Sequence, residues 1–310
     1  MPNNISYATI FQKALDEQMI QGATSGWMEA NAGQVIYNGG SEVKIPKMSL
    51  DGLGNYSRSS GYPGGAVTLE YETKTMTQDR GRQFVLDSMD VNESNFVVNA
   101  SSVMAQFQKL KVIPEVDAYR YSKISQLAIA KGAGYALGGY TPAVADILSK
   151  IKADIATVQD RIGDDVPLII VMSGLIKNIL ETSTELSKQL SVVDFTQGKV
   201  NLKVRAINDC PIISVPSARL KTLYVFNDGT TAGQTAGGFV ADAAAKTINW
   251  LLIAQQAPIA VSKTDNMKIF DPSVVQDADG YKLDYRKYHD IWIPDNKLDG
   301  IFANVKEALV

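Results

Sequence analysis

Proton relays, thiol attack and transition-metal centres draw on histidine and cysteine, and this chain of 310 residues has one of each, His289 and Cys210. A zinc site built from Cys and His needs three or four such ligands, so zinc fingers and His-rich catalytic centres are excluded. A single thiol cannot close a disulfide within the chain. Any Ser-His-Asp triad would have to use His289 as its base. That residue stands in Tyr288-His289-Asp290-Ile291-Trp292, an alternating aromatic and apolar run that reads as a strand carrying a structural histidine. The Gly-x-Ser-x-Gly elbow of acyl-transfer enzymes does not occur. Phosphate cradles are missing too: there is no Gly-x-x-x-x-Gly-Lys-Ser/Thr run, and Gly52-Leu53-Gly54 lacks the third glycine of a dinucleotide fingerprint. Gly132-Ala133-Gly134 follows a helical pattern rather than a strand, as a helix stop does.

Carboxylates are plentiful, with Asp87 and Asp90, Asp164 and Asp165, and Asp277 and Asp279 close together in sequence. Paired acids could serve glycoside hydrolysis or hold calcium, which keeps a monomeric α/β enzyme using carboxylates as one reading. Nothing in their spacing fixes a geometry, however, and Asp277-Ala278-Asp279-Gly280 lacks the glutamate that closes a calcium loop. Caps, turns and solvated faces account for these acids. Cys210, before Pro211, reads as a small buried hydrophobe. No catalytic, cofactor-binding or metal-ligating residue is assigned.

The remaining composition bounds the partners. A net charge of −3 with both signs interspersed gives no basic stripe to neutralise phosphates, so tight nucleic-acid binding is not expected. The first 20 residues have neither the basic start nor the apolar centre of a secretory signal. The most apolar stretches, Leu168 to Met172 and Trp250 to Ala254, are far shorter than the roughly 20 residues of a membrane helix. With 45% hydrophobic residues, the chain is expected to bury a core of one or two domains.

The elements follow from periodicity. Ile5, Ala8, Phe11, Ala14, Leu15 and Met19 sit near helical spacing and read as an amphipathic arm, interrupted over Gly22 to Gly33. Gln34 to Tyr37, Ser41 to Met48 and Val67 to Met76 read as strands, with Val43 and Ile45 on one face and Val67, Leu69 and Tyr71 on one face of the last. Asp51 to Gly65 between them is glycine-rich and makes a long hairpin with a flexible tip. Asp90 and Glu93 form a capping box before Phe96, Val103, Met104, Phe107 and Leu110. Pro114 then sets a boundary, and a further helix starts near Glu115. The next helix has Thr141 as N-cap, Pro142 at its first position, a stripe from Val144 to Ile162, and Gly163 as its stop. From Val166 the texture becomes α/β. The spacing predicts strands at Leu168 to Met172, Val200 to Val204, Ile212 to Val215, Leu223 to Phe226, Ile248 to Ala254, Met267 to Phe270 and Tyr288 to Ile293, and a helix from Leu175 to Leu190.

The hairpin poses a physical problem, because a two-stranded ribbon alone in water is marginal. It is either a lid or loop, or a projecting arm held by a neighbouring subunit. On the second reading Tyr56, Arg58 and Tyr62 at its tip are the candidate subunit-interface residues, since Tyr and Arg carry disproportionate interface energy.

Four segments resemble tailed-bacteriophage major capsid proteins: Asp79-Arg80-Gly81-Arg82-Gln83-Phe84 through Asp87-Ser88-Met89-Asp90-Val91-Asn92-Glu93, Val112-Ile113-Pro114-Glu115-Val116-Asp117-Ala118-Tyr119-Arg120-Tyr121, Asn208-Asp209-Cys210-Pro211-Ile212-Ile213-Ser214-Val215-Pro216, and Tyr288-His289-Asp290-Ile291-Trp292-Ile293-Pro294-Asp295-Asn296-Lys297 with Gly300-Ile301. Their likeness is nearest to coat proteins of phages infecting Gram-positive bacteria. The resemblance implies the Hong Kong ninety-seven capsid fold, an α+β architecture. Its implied parts are an N-terminal arm (1–33), an extended E-loop (34–76), a peripheral domain with a long spine helix from about Asn92 to Lys111 (77–165), an axial α/β domain (166–256) and closing peripheral strands (257–310). It implies self-assembly into hexamers and pentamers of an icosahedral shell around double-stranded DNA, with the E-loop lying across the adjacent subunit. A separate scaffolding protein and a portal are the further implied partners, and the place is the virion, assembled in the host bacterial cytoplasm. No membrane, cofactor or catalysis enters. Arg58 is the only basic residue from Asp51 to Gly65, so no isopeptide crosslink from a tip lysine is expected, nor is cleavage of the short arm. An encapsulin-like nanocompartment shares the architecture and is the alternative.

Overall fold

The computed structural model describes residues 22–34, 36–37, 41–87, 104–183, 190–197, 200–270, 273–275 and 280–309. The amphipathic start, the capping box at Asp90 and Glu93, and the acids Asp277 and Asp279 lie outside the described residues, as does the expected spine helix up to residue 103.

The strands are β1 (Ile36–Tyr37), β2 (Glu42–Leu50), β3 (Val67–Thr75), β4 (Gln78–Asp87), β5 (Ala136–Leu137), β6 (Leu168–Ser173), β7 (Leu190–Gln197) and β8 (Val200–Ile207). They continue as β9 (Cys210–Val215), β10 (Tyr224–Phe226), β11 (Phe239–Ala241), β12 (Ile248–Ala254), β13 (Ile259–Phe270), β14 (Gly280–Trp292) and β15 (Ile301–Val305). The α-helices are α1 (Ile113–Lys131), α2 (Ile147–Ile162) and α3 (Gly174–Glu181).

A seven-stranded mixed sheet, ordered β5-β15-β12-β6-β9-β8-β7, forms the centre. Its middle strands β6 and β12 are apolar except for Ser173 and Asn249, and every residue is buried, as expected for strands covered on both faces. They pair antiparallel from Trp250 opposite Met172 to Ala254 opposite Leu168. Ile147, Leu148, Ile151, Ile155 and Val158 of α2 supply the buried stripe packed against this sheet, and Tyr121, Ile124 and Ala128 of α1 join the same core. Because β5 and β15 belong to this sheet, it draws on residues from both sides of the expected boundaries at 165 and 256.

Three helix boundaries differ from expectation. Residues 104–107 are helical and run through a π-helical turn, Gln108–Val112, directly into α1, so Pro114 does not end a helix. The wide turn makes room where the proline ring and its missing N–H disrupt ordinary i to i−4 bonding. Helix α2 starts at Ile147, not near Pro142; a turn over 144–146 precedes it, and the Asp146 carboxylate accepts from the Tyr140 hydroxyl at 3.0 Å instead of capping. Its end is as expected: Gly163 has φ 83° and its N–H donates to the Gln159 carbonyl at 2.7 Å. Helix α3 stops at Glu181, and Leu190 already begins β7.

The long strands β13 and β14 pair from Ile259 opposite Trp292 to Phe270 opposite Lys282, and β4 adds to β14 as a third strand. Sequence periodicity showed only the ends of this ribbon.

Candidate assembly interface

The hairpin of β2 and β3 is in register from Glu42 opposite Thr75 to Leu50 opposite Val67. Directly opposed residues share a face, so this register sorts the side chains into two rows. At the root, Val43 and Ile45 are buried with Met76, Ile259, Val261 and Trp292, which fastens the ribbon to its own body. Beyond Ile45 that same face turns polar, with Lys47 opposite Glu70 and Ser49 opposite Thr68. The other face does the reverse. It is polar at Glu42 and Lys44, then carries Pro46 opposite Tyr71, Met48 opposite Leu69 and Leu50 opposite Val67. These last five large side chains are 52% to 68% exposed. The apolar row therefore changes sides halfway along the ribbon, away from the core that holds the root. A contiguous exposed apolar face of this kind marks an interaction surface.

The tip closes in a hydrogen-bonded turn. Asp51 N donates to the Ala66 carbonyl at 3.2 Å and its Oδ2 accepts from Ala66 N at 2.7 Å, closing the end of the ladder. The two chains then run side by side, so closely that a Cβ on Gly54 would lie 2.6 Å from Pro63 Cγ. Ser57 and Gly61 exchange backbone hydrogen bonds at 3.1 and 2.8 Å, and Ser57 Oγ accepts from Ser59 N and Ser60 N. Gly61 takes φ 79°, which favours glycine. This turn brings Tyr56 and Tyr62 together, ring centroids 4.9 Å apart and planes tilted 58°. Arg58 stands exposed on the turn between them. The residues from Ile45 to Arg58 span up to about 40 Å at roughly 3.3 Å per residue, so the clasp stands far from its root.

Sequence reasoning named Tyr56, Arg58 and Tyr62 but missed Met48 and Leu50. The signal was present: Glu42 to Leu50 alternates apolar and polar residues with a change of phase at Pro46.

A second polar centre holds the start of the described chain. The buried Asp117 carboxylate on α1 accepts from Thr24 N, Thr24 Oγ1, Ser25 N and Ser25 Oγ, and from Arg219 Nη1 at 3.0 Å. One turn on, Arg120 donates to the Ser25 carbonyl and pairs with Glu29. Burial pushes the Glu29 carboxyl up, and the Arg120 guanidinium outweighs it, leaving Glu29 below its ordinary range. On β14, Asp290 accepts from Thr77 N, Thr77 Oγ1 and Tyr119 Oη, the last at 2.7 Å. These bonds hold residues 24–29 against α1 and fix the turn from β3 to β4.

The residues suspected of chemistry are dispersed. His289 is buried on β14, edge-on to Tyr119 at 5.7 Å. Burial first, then the positive charges of Arg120, Lys287 and Arg80, push its imidazole well below the ordinary range, so it is neutral at pH 7. Cys210 is buried on β9, its thiol pushed up to about 11 by burial and by Asp209. Asp164 and Asp165 are exposed in the turn after α2. Among the described residues no group of three or more His, Cys, Asp or Glu could hold a metal, and no helix is long and apolar enough to cross a membrane.

Over most of its length the backbone is similar to solved phage capsids. The capsid of Ralstonia phage GP4 superposes with a TM-score of 0.56 at 12% identity, over 87% of this chain and 84% of that one. The mature capsid of bacteriophage PhiM1 gives 0.53 at 15% identity, over 87% and 83%. This chain has a phage-capsid fold. The likeness extends to a virus-like particle from Pyrococcus furiosus, with a TM-score of 0.52 at 9% identity over 96% of this chain and 99% of that one. No protein-family model matches the sequence, and no curated protein matches it.

Proposed function

We propose that the chain is a major capsid protein: a shell subunit that assembles into hexamers and pentamers of an icosahedral capsid around double-stranded DNA. The observation that carries this reading is the hairpin, whose apolar row leaves its own core and leads to an exposed tyrosine clasp up to about 40 Å away. Such a surface is satisfied by a neighbouring copy, and a capsid fold supplies neighbours of fixed geometry. In this reading the 34–76 hairpin is the E-loop, the helix running into α1 is the spine, and the arm is moored at Asp117. Residues 77–165 and 257–310 are assigned to the peripheral domain and 166–256 to the axial domain. A separate scaffolding protein and a portal are its assembly partners. Assembly is assigned to the host bacterial cytoplasm and the product to the virion. The role is structural rather than catalytic. A net charge of −3 suits a container that does not grip its DNA.

A nanocompartment enclosing protein cargo is the second reading, favoured by the near-complete mutual coverage with the Pyrococcus furiosus particle. Negative-stain microscopy of the purified chain, followed by nuclease and protein analysis of particle contents, tests both. Closed shells with DNA support the capsid, and shells with protein cargo support the compartment. A monomer that never forms shells rejects both.

A further inference from the structure

Between the face of β4 and β14, the start of α1 and the 227–238 loop lies a cavity of about 360 Å³ that shell assembly does not explain. Its floor is aromatic: Phe84 and Phe107 meet edge-on at 5.0 Å, and Phe107 and Tyr285 at 5.9 Å. Part of its wall is backbone at Gly229, Gly237 and Gly238, all at positive φ. His289, 3% exposed, lines the cavity, and its Nδ1 is buried without a hydrogen-bond partner.

Most charges around the cavity are already satisfied. Arg80 pairs with Glu115 at 2.7 Å and donates to the Asn227 carbonyl, and Lys287 pairs with Asp265 at 2.6 Å. Asp79 pairs with Arg286, and Asp228 accepts from Thr230 N, Thr231 N and Thr231 Oγ1. Two cations are left over. Arg82 donates to the Thr235 carbonyl at 3.1 Å, and neither Arg82 nor Lys111 forms an ion pair among the described residues. An aromatic floor beside two cations that form no ion pair among the described residues is complementary to a flat ring carrying negative charge. The volume falls at the small end of ligand pockets, roughly 300–1,000 Å³.

We propose that this cavity binds an aromatic ring bearing an anionic group, the ring over Phe84, Phe107 and Tyr285 and the anion held by Arg82 and Lys111. The site is independent of the shell reading, and its failure would leave that reading untouched.

Calorimetric titration of the full chain with 2-naphthoate tests it, with neutral 2-naphthamide and ring-free acetate as comparisons. One 2-naphthoate per chain should bind at least tenfold more tightly than either. The Arg82→Gln, Lys111→Gln double variant should lower affinity for 2-naphthoate toward that for the amide. Both side chains are exposed, so circular dichroism should be unchanged. Asp164→Asn, in the exposed turn after α2, should bind as the parent does. Competition by a Phe-Asp peptide at concentrations below those needed by free phenylacetate would identify a polypeptide as the source of the ring, and the reverse order a small molecule. Equal affinity for naphthoate and naphthamide, no binding at millimolar concentration, or binding unchanged in a folded double variant would each overturn the proposal.

Discussion

Replacing Leu50 and Leu69 together by serine removes two side chains of the distal apolar row without touching the root of the hairpin. They are 63% and 58% exposed in the isolated chain. Full burial of a leucine side chain is worth about 1.5–3 kcal/mol, so the area still open to burial between subunits is worth about 1–2 kcal/mol for each residue. The pair should then weaken each hairpin contact by about 2–4 kcal/mol, on the order of 30- to 1,000-fold in the contact's association constant. Intrachain stability should shift by no more than about 0.5 kcal/mol, since the lost atoms face water. Light scattering and sedimentation velocity across a concentration series read the assembly threshold, and circular dichroism with thermal melting reads the fold. A folded double variant that assembles at the parent's concentration would refute the inference that this row is an intersubunit surface.

Other expectations follow from the polar centres and turns. Asp117→Ala should cost about 3–5 kcal/mol in urea denaturation, because Arg219 and the Thr24 and Ser25 donors lose their shared acceptor; a loss under 1 kcal/mol would show that Asp117 is not the mooring point. His289 titrates well below its ordinary 6.5 when folded, so the unfolded chain binds more protons below that pH. Stability should fall by up to about 1.4 kcal/mol per pH unit as pH drops from 6.5 towards the folded value, and be unaffected above 7. His289→Gln should flatten that limb in unassembled protein, and an unchanged slope would reject the assignment. Gly163→Ala should lower stability by about 1–3 kcal/mol, since its φ of 83° is strained for alanine; an unaltered melting temperature would count against the observed helix stop.

What was legible in the sequence was what local periodicity dictates. The α2 stripe, the Gly163 stop and the buried runs at β6 and β12 need only spacing and composition, and they stand where expected. The hairpin was also legible, from the alternating runs Ser41 to Met48 and Val67 to Met76 on either side of a glycine-rich tip. The π turn before Pro114 was not legible, since proline normally signals a boundary and only tertiary packing keeps the helix continuous. The rest of β13 and β14 alternates poorly. Lys287 is buried there through its pair with Asp265, so polarity hid that part of the strand. The side-switch at Pro46 was legible in the change of phase between Ile45 and Met48, and the register adds which residues of β3 stand opposite. The cavity beside β4 joins residues more than 200 positions apart, which no local pattern announces.

Cryo-electron microscopy of particles formed by the purified full-length chain tests the central claim most directly. The account predicts closed icosahedral shells in which residues 46–71 of each subunit lie with Met48, Leu50, Val67 and Leu69 buried against the adjacent copy. A protein that stays monomeric at high concentration, or shells in which that row faces solvent, would contradict it.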